Sequence, residues 1–187
     1  MILTDASIKA SLQARTRLPK AKGTETLRIG DAGTKGQGVF ATKRIELGEV
    51  VWDYKGEVKW ITDIPKRVWK FCFQMDYDRY VVPAKGSVGW FLNHSCDPNC
   101  VIMGKTRIVA LRRIEPGEEV TFDYSTNVGW EGFSMRCRCG AKSCRKVVKS
   151  YRFLSDELKG RYGACVSDFL LRPSRDLSLT STGNEAT

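Results

Sequence analysis

Apolar residues in this chain come in short bursts separated by glycine and proline turns. GVFAT, EVVWDYKGEV, RYVVP, CVIMG, RIVAL and EVTFDY each read as strand, rich in β-branched and aromatic residues and bounded by turn formers. Gly104-Lys105, between CVIM and RIVAL, reads as the tip of a hairpin. Helical spacing shows in only two places. One is residues 63–73, with Pro65 near the start. The other is residues 147–158, where Val147, Val148, Tyr151, Leu154 and Leu158 fall on one side and Gly160 supplies the stop. The pattern predicts a mostly β domain with short helices.

One pattern occurs twice. VFATKRIELGEVV (39–51) and IVALRRIEPGEEV (108–120) agree at seven of thirteen paired positions. Each is a strand, a turn around Leu47-Gly48 or Pro116-Gly117, and a second strand. Each then runs into an Asp-Tyr pair, Asp53-Tyr54 and Asp123-Tyr124. As packing, this is one hairpin type used twice. As chemistry, it would deliver two tyrosines to one place.

Composition narrows the class. A length of 187 residues suits one domain plus a small appendage, and 42% hydrophobic with 28% charged residues excludes a chain disordered throughout. No apolar run approaches the ~20 residues that span a bilayer. The opening MILTDASIK meets Asp5 too early for a secretory leader. An intracellular protein with no membrane partner is expected. Thirty-one Lys and Arg against 21 Asp and Glu give a net charge of +10, which favours an anionic neighbour such as nucleic acid or an acidic protein face. Residues 1–25 read as a basic arm, and the Ser/Thr-rich residues 173–187 as a flexible tail.

Of seven cysteines, three stand close together as Cys137-x-Cys139-x4-Cys144, among Arg136, Arg138, Lys142 and Arg145. An odd number of cysteines at this spacing fits an intracellular metal site better than a disulfide framework. Zinc prefers four ligands, so a fourth is due from Cys72, Cys96, Cys100 or Cys165. His94 is the only histidine. It lies in FLNHSCDPNC, where polar residues follow an apolar lead-in and Asp-Pro-Asn turns the chain. In Lys35-Gly36-Gln37-Gly38-Val39, two glycines precede a strand and would let backbone amides approach a ligand.

Taken in order, KGQGVFA, DYKGEV, FLNHSCDPNC, PGEEVTFDY and CRCGAKSCRK resemble the SET-domain family of protein lysine methyltransferases, with its zinc-binding post-SET segment. The resemblance covers residues 26–148. It implies a fold of small curled β-sheets with a pseudoknot at the NHSC segment. The implied layout is a SET domain over 26–125 and a post-SET segment over 126–149, and the apolar spacing adds a helical extension over 150–172. It also implies S-adenosylmethionine as methyl donor, held by Lys35, Gly36, Gln37, Gly38 and Val39 and contacted by Asn93 and His94. Tyr124 matches the catalytic tyrosine. Tyr54, Phe73 and Phe122 match walls of the lysine channel. Cys96 joins Cys137, Cys139 and Cys144 as zinc ligands. Phe rather than Tyr at position 122 implies di- or trimethylation. The implied substrate is a protein lysine, histone foremost. The expected place is the nucleus if the source is eukaryotic and the cytoplasm otherwise, with nucleic acid reachable by the basic surface.

The chain departs from the family pattern at several points. Trp90 stands where Arg is usual, Gly86-Ser87 for Gly-Asn, Pro83-Ala84 for Asp-Ala, and Gln37 for Trp. Lys146 stands where Gly is expected after the last cysteine, and Lys149 where an apolar residue is, leaving Tyr151 or Phe153 to cover the adenine. A degenerate SET domain that binds chromatin or nucleic acid without catalysis is the alternative. A zinc-dependent nucleic-acid binder would explain the charge and the cysteines but not the NHSC segment.

Overall fold

The computed structural model describes residues 24–172. The expected basic arm, apart from its last two residues, and the expected tail lie outside them. Twelve short strands run through the described residues: β1 (Leu27–Asp31), β2 (Gln37–Ala41), β3 (Val50–Asp53), β4 (Gly56–Trp60), β5 (Phe73–Gln74), β6 (Arg79–Pro83), β7 (Asn93–His94), β8 (Cys100–Met103), β9 (Arg107–Ala110), β10 (Thr121–Phe122), β11 (Ser134–Arg136) and β12 (Val147–Lys149). They form five small sheets, β1-β2, β3-β9-β8, β4-β6-β5, β10-β7 and β11-β12. The mostly β reading holds.

The sheet β3-β9-β8 explains why its strands read as unbroken apolar runs. Alternate residues of a strand face opposite sides. Val51, Ile102, Ile108 and Ala110 face one buried cluster, with Val39, Phe73 and Phe122. Val50, Val101 and Val109 face another, with Leu154, Tyr162 and Val166 from the C-terminal segment. A sheet covered on both faces has no polar alternation to show. Each of the buried Val, Ile, Leu and Phe side chains among them contributes about 1.5–3 kcal/mol relative to exposure.

The duplicated segment forms a local two-fold arrangement. Ile45 N donates to the Ile114 carbonyl at 3.0 Å and Ile114 N returns the bond at 2.9 Å. Gly48 N reaches Ala110 O at 2.9 Å, and its counterpart Gly117 N reaches Ala41 O at 2.8 Å. The two copies bond to each other through equivalent positions, and each sends its Asp-Tyr pair onward from there. Gly48 and Gly117 sit at φ 80° and 85°, which glycine adopts without strain.

Two helix expectations need correction. Residues 63–73 contain a six-residue 3-10 helix, Lys66–Phe71, and no α-helix. Residues 147–158 are not one helix. Val147–Lys149 is a strand, Tyr151–Phe153 a 3-10 turn, and the α-helix α1 starts only at Asp156 and runs to Tyr162. The Ser155 hydroxyl accepts from Leu158 N at its start. Gly160 lies inside this helix. The stop is Gly163, at φ 54°.

Candidate functional site

A cavity of about 350 Å³ opens beside the end of the second duplicate. Tyr54, Phe73, Phe122 and Tyr124 line one part of it. Tyr54 and Phe73 stack at 4.2 Å between centroids, Phe122 lies 6.2 Å from Phe73, and Tyr124 lies 5.1 Å from Phe122. Gly89 makes room for this wall, since a Cβ there would sit 3.0 Å from the Tyr54 ring. Both Asp-Tyr pairs therefore deliver a tyrosine to one cavity. Burial pushes both phenols above their ordinary pKa, so each is a neutral hydroxyl. The Tyr124 hydroxyl donates to the Leu92 carbonyl at 2.8 Å, which fixes the ring and leaves the oxygen's lone pairs free.

The segment after Leu92 is held by the parallel pairing of β7 with β10, Asn93 opposite Thr121 and His94 opposite Phe122. Tyr124 N donates to His94 Nδ1 at 3.2 Å, and His94 Nε2 lies 3.2 Å from Cys96 Sγ. Burial lowers the imidazole pKa to about 4, only partly opposed by Asp123, so the ring is neutral with its proton on Nε2. Both ring nitrogens are engaged within the protein. Asn93 Nδ2 donates to Gln37 O at 3.0 Å and to Glu119 Oε1 at 2.9 Å. Lys35 forms an ion pair with the same carboxylate. Lys35, Gln37, Gly38 and Asn93 thus gather around Glu119, a residue the sequence reading did not single out. Gly36 has φ 80°. Val39 is fully buried in the core.

The thiol sulfurs of Cys96, Cys137, Cys139 and Cys144 all lie within 4.8 Å of one another. Cys96 and Cys137 are 3.8 Å apart. That is far beyond a disulfide but close to the edge of a sulfur tetrahedron around zinc at ~2.3 Å per bond. Burial raises the Cys139 thiol, but backbone N–H groups of Cys96 and Ala141 and the neighbouring thiols outweigh it and bring the pKa down to about 6. Of the four cysteines left open as a fourth ligand, Cys96 is the one in the cluster. Cys72 lines the cavity, and Cys100 and Cys165 are buried in the core.

Sequence reading missed the polar network behind these groups. Asp123 is 1% exposed. Its carboxylate accepts from Ser125 N at 3.0 Å, Arg145 Nη2 at 2.6 Å and the Tyr162 hydroxyl at 2.9 Å. Asn127 lines the cavity and exchanges bonds with the Gln74 backbone at 3.0 and 2.8 Å, tying β5 to the turn after Tyr124. Trp90, standing where Arg was expected, stacks on Phe71 at 3.9 Å and donates to Pro83 O at 2.9 Å. Phe153 lies on the surface under the Lys149 ammonium, 5.3 Å from its centroid.

Comparison with known proteins agrees with this arrangement. The SET domain family profile matches residues 36–125. The chain is 41% identical over 130 residues to histone-lysine N-methyltransferase trithorax of Drosophila virilis, covering 60% of this chain and 3% of that protein. It is 33% identical over 158 residues to human histone-lysine N-methyltransferase 2B, covering 76% of this chain and 6% of the relative. The chain thus spans a small part of these relatives' length. Among solved structures, the methyltransferase domain of human SETMAR matches with a TM-score of 0.57 and 25% identity over 66% of this chain and 58% of that one. KRYPTONITE, solved with mCHH DNA, an H3(1-15) peptide and SAH, matches with a TM-score of 0.50 and 28% identity over 65% of this chain and 29% of its own. The chain belongs to the SET-domain family. Of the four clustered cysteines, Cys96 lies within the matched residues, and Cys137, Cys139 and Cys144 follow them.

Proposed function

We propose that the chain is a protein-lysine N-methyltransferase that uses S-adenosylmethionine, carries structural zinc, and acts on histone or another nuclear protein. The observation that carries this is the Tyr124 hydroxyl, fixed on the Leu92 carbonyl beside an aromatic cavity walled by Tyr54, Phe73 and Phe122. The reading is supported by the names of the relatives, which are histone-lysine methyltransferases.

The residues present fit the donor. A Cβ on Gly38 would lie 2.6 Å from Glu119 Oε1 and 3.0 Å from Asn93 Nδ2, so the glycine loop forms a close cradle beside an amide, a carboxylate and the Lys35 ammonium. Those groups match the charged amino-acid end of S-adenosylmethionine, which when bound supplies a methyl group on a positively charged sulfur. The four thiols fit zinc, whose role here is to fold residues 136–148 against the site.

A free lysine has a pKa of about 10.4 and must shed its proton to attack. Aromatic walls disfavour the ammonium by withholding water. Tyr54 and Phe73 align the amine, and holding it in line replaces a chance encounter with a directed one. The Tyr124 oxygen, its proton given to Leu92, faces the positive charge that moves toward nitrogen. Phe122 carries no hydroxyl to hold a water in the space a methylated amine needs, so the product range extends to di- and trimethyl-lysine.

The non-catalytic alternative gains nothing from Trp90, which is stacked and hydrogen-bonded into the site wall. The test is methyl labelling of histones and whole nuclear extract, with the product mapped to a lysine nitrogen. Label on no protein would overturn the proposal.

A further inference from the structure

The charged residues around the cavity point to its substrate. Among the described residues lining it, the only charged ones are Lys66 and Lys70, and no carboxylate contributes. Both stand on the 3-10 helix Lys66–Phe71, with Arg67 exposed between them. Lys70 Nζ lies over the Phe71 ring, 4.8 Å from its centroid, and Phe71 stacks on Trp90. The replacement of an expected arginine by Trp90 therefore builds an aromatic platform that holds a cation at the rim. Several other carboxylates of the described residues are paired with cations of their own. Asp76 pairs with Arg172, Glu131 with Arg152 and Glu57 with Lys59. Asp63 and Asp78 do not line the cavity, and the one that bears on it is Asp78: burial foremost, then Cys72 and Asp78, raise the pKa of the lining Tyr80. Lys66, Arg67 and Lys70 have no carboxylate partner among the described residues.

An incoming lysine side chain is itself a cation, and it meets this rim with like charge. A substrate segment whose other residues are Arg and Lys would add to that repulsion. Carboxylates flanking the target lysine would reverse it, pairing with Lys66 and Lys70 and leaving the lysine directed inward. The same rim charges also favour the neutral amine once it has entered.

Resting on the methyltransferase reading above, we infer that this chain selects, within its protein substrate, a target lysine flanked by Asp or Glu over one embedded in an Arg/Lys-rich segment. Charge complementarity of this type sets specificity between partners more than maximal affinity.

The experiment compares three peptide sets around one lysine, with acidic, neutral or Arg/Lys flanks, measuring binding and methyl transfer with the full chain. The acidic set is expected to exceed the basic set by roughly five- to tenfold in kcat/KM and in affinity, the worth of one or two exposed ion pairs. The charge reversal Lys66→Glu/Lys70→Glu is expected to invert the order. The control Lys43→Glu/Lys105→Glu makes the same change in net charge at exposed positions outside the cavity and is expected to leave the order unchanged. Equal use of the three sets, or preference for the basic set by the wild type, overturns this inference and leaves the methyltransferase reading standing. Transfer to no lysine in any set overturns that reading, and this inference with it.

Discussion

Arg145 reaches from the cysteine cluster to Asp123, the residue just before Tyr124. Its guanidinium donates to the Asp123 carboxylate at 2.6 Å, while its own backbone N–H points at Cys96 Sγ, 3.4 Å away. Metal segment and tyrosine are therefore joined by a single residue. The Tyr162 hydroxyl from α1 completes the arrangement on the other carboxylate oxygen. A carboxylate this deeply buried is costly to leave unpaired, and its donors are costly to strand. Asp123→Ala removes the acceptor for Ser125, Arg145 and Tyr162 together. The expected loss is about 3 kcal/mol or more of folding stability, read from urea denaturation. A loss below about 1 kcal/mol would mean that the network is peripheral.

Tyr162→Phe removes only one of those bonds and leaves the ring in place. An expected loss of about 1.5–3 kcal/mol follows, because the hydrogen bond goes to a charged group. Denaturation of the variant beside wild type measures it.

Lys146 is the one non-glycine residue with positive φ among the described residues, at 63°, and it stands where the family pattern has glycine. Its carbonyl accepts from Cys137 N at 2.7 Å, so the conformation serves the cysteine loop. A side chain in this region costs about 1–2 kcal/mol, part of which glycine returns as unfolded-state freedom. Lys146→Gly is expected to raise stability by about 0.5–1 kcal/mol, with a matching rise in Tm. An unchanged or lower Tm would show that the loop bears no strain there.

Much of this was legible in the sequence. The hairpin tip at Gly104, the apolar strands around it and the doubled Asp-Tyr segment were readable because their signals are local. The segment 147–158 misled because its apolar residues are spread over three different elements. Val148 pairs with Met135 in a strand, whereas Leu154 packs on the C-terminal side of the β3-β9-β8 sheet. Their spacing imitates one helical face. The Asp123 network had no local signal at all, since Arg145 and Tyr162 lie 22 and 39 residues along the chain. Trp90 read as a departure from pattern, and only its stacking on Phe71 gives it a place.

Zinc removal separates the metal's role from that of the core. The buried residues of the main core cluster all lie between Leu27 and Phe122 and include none of the four clustered thiols. Chelation, or Cys139→Ser, is expected to release one zinc ion per chain and expose residues 134–149 to protease. Methyl transfer is expected to be abolished while the β-sheet circular dichroism persists. Full activity in metal-free protein would contradict this.

The proposed product range is testable at one position. Phe122 is 4% exposed against Phe73 and Tyr124, and a hydroxyl added to its ring would hold a water near the amine. Mass spectrometry is expected to find di- and trimethyl-lysine from wild type and mainly monomethyl-lysine from Phe122→Tyr. Monomethyl product alone from both proteins would count against it.

Tyr124→Phe tests the central claim most directly. The variant keeps the ring and its packing but loses the hydroxyl bonded to Leu92. Labelled methyl transfer to protein lysine should fall by at least about a hundredfold, the scale of removing one aligned polar group from a transition state, with the circular dichroism spectrum unchanged. Transfer at the wild-type rate from this variant would contradict the account.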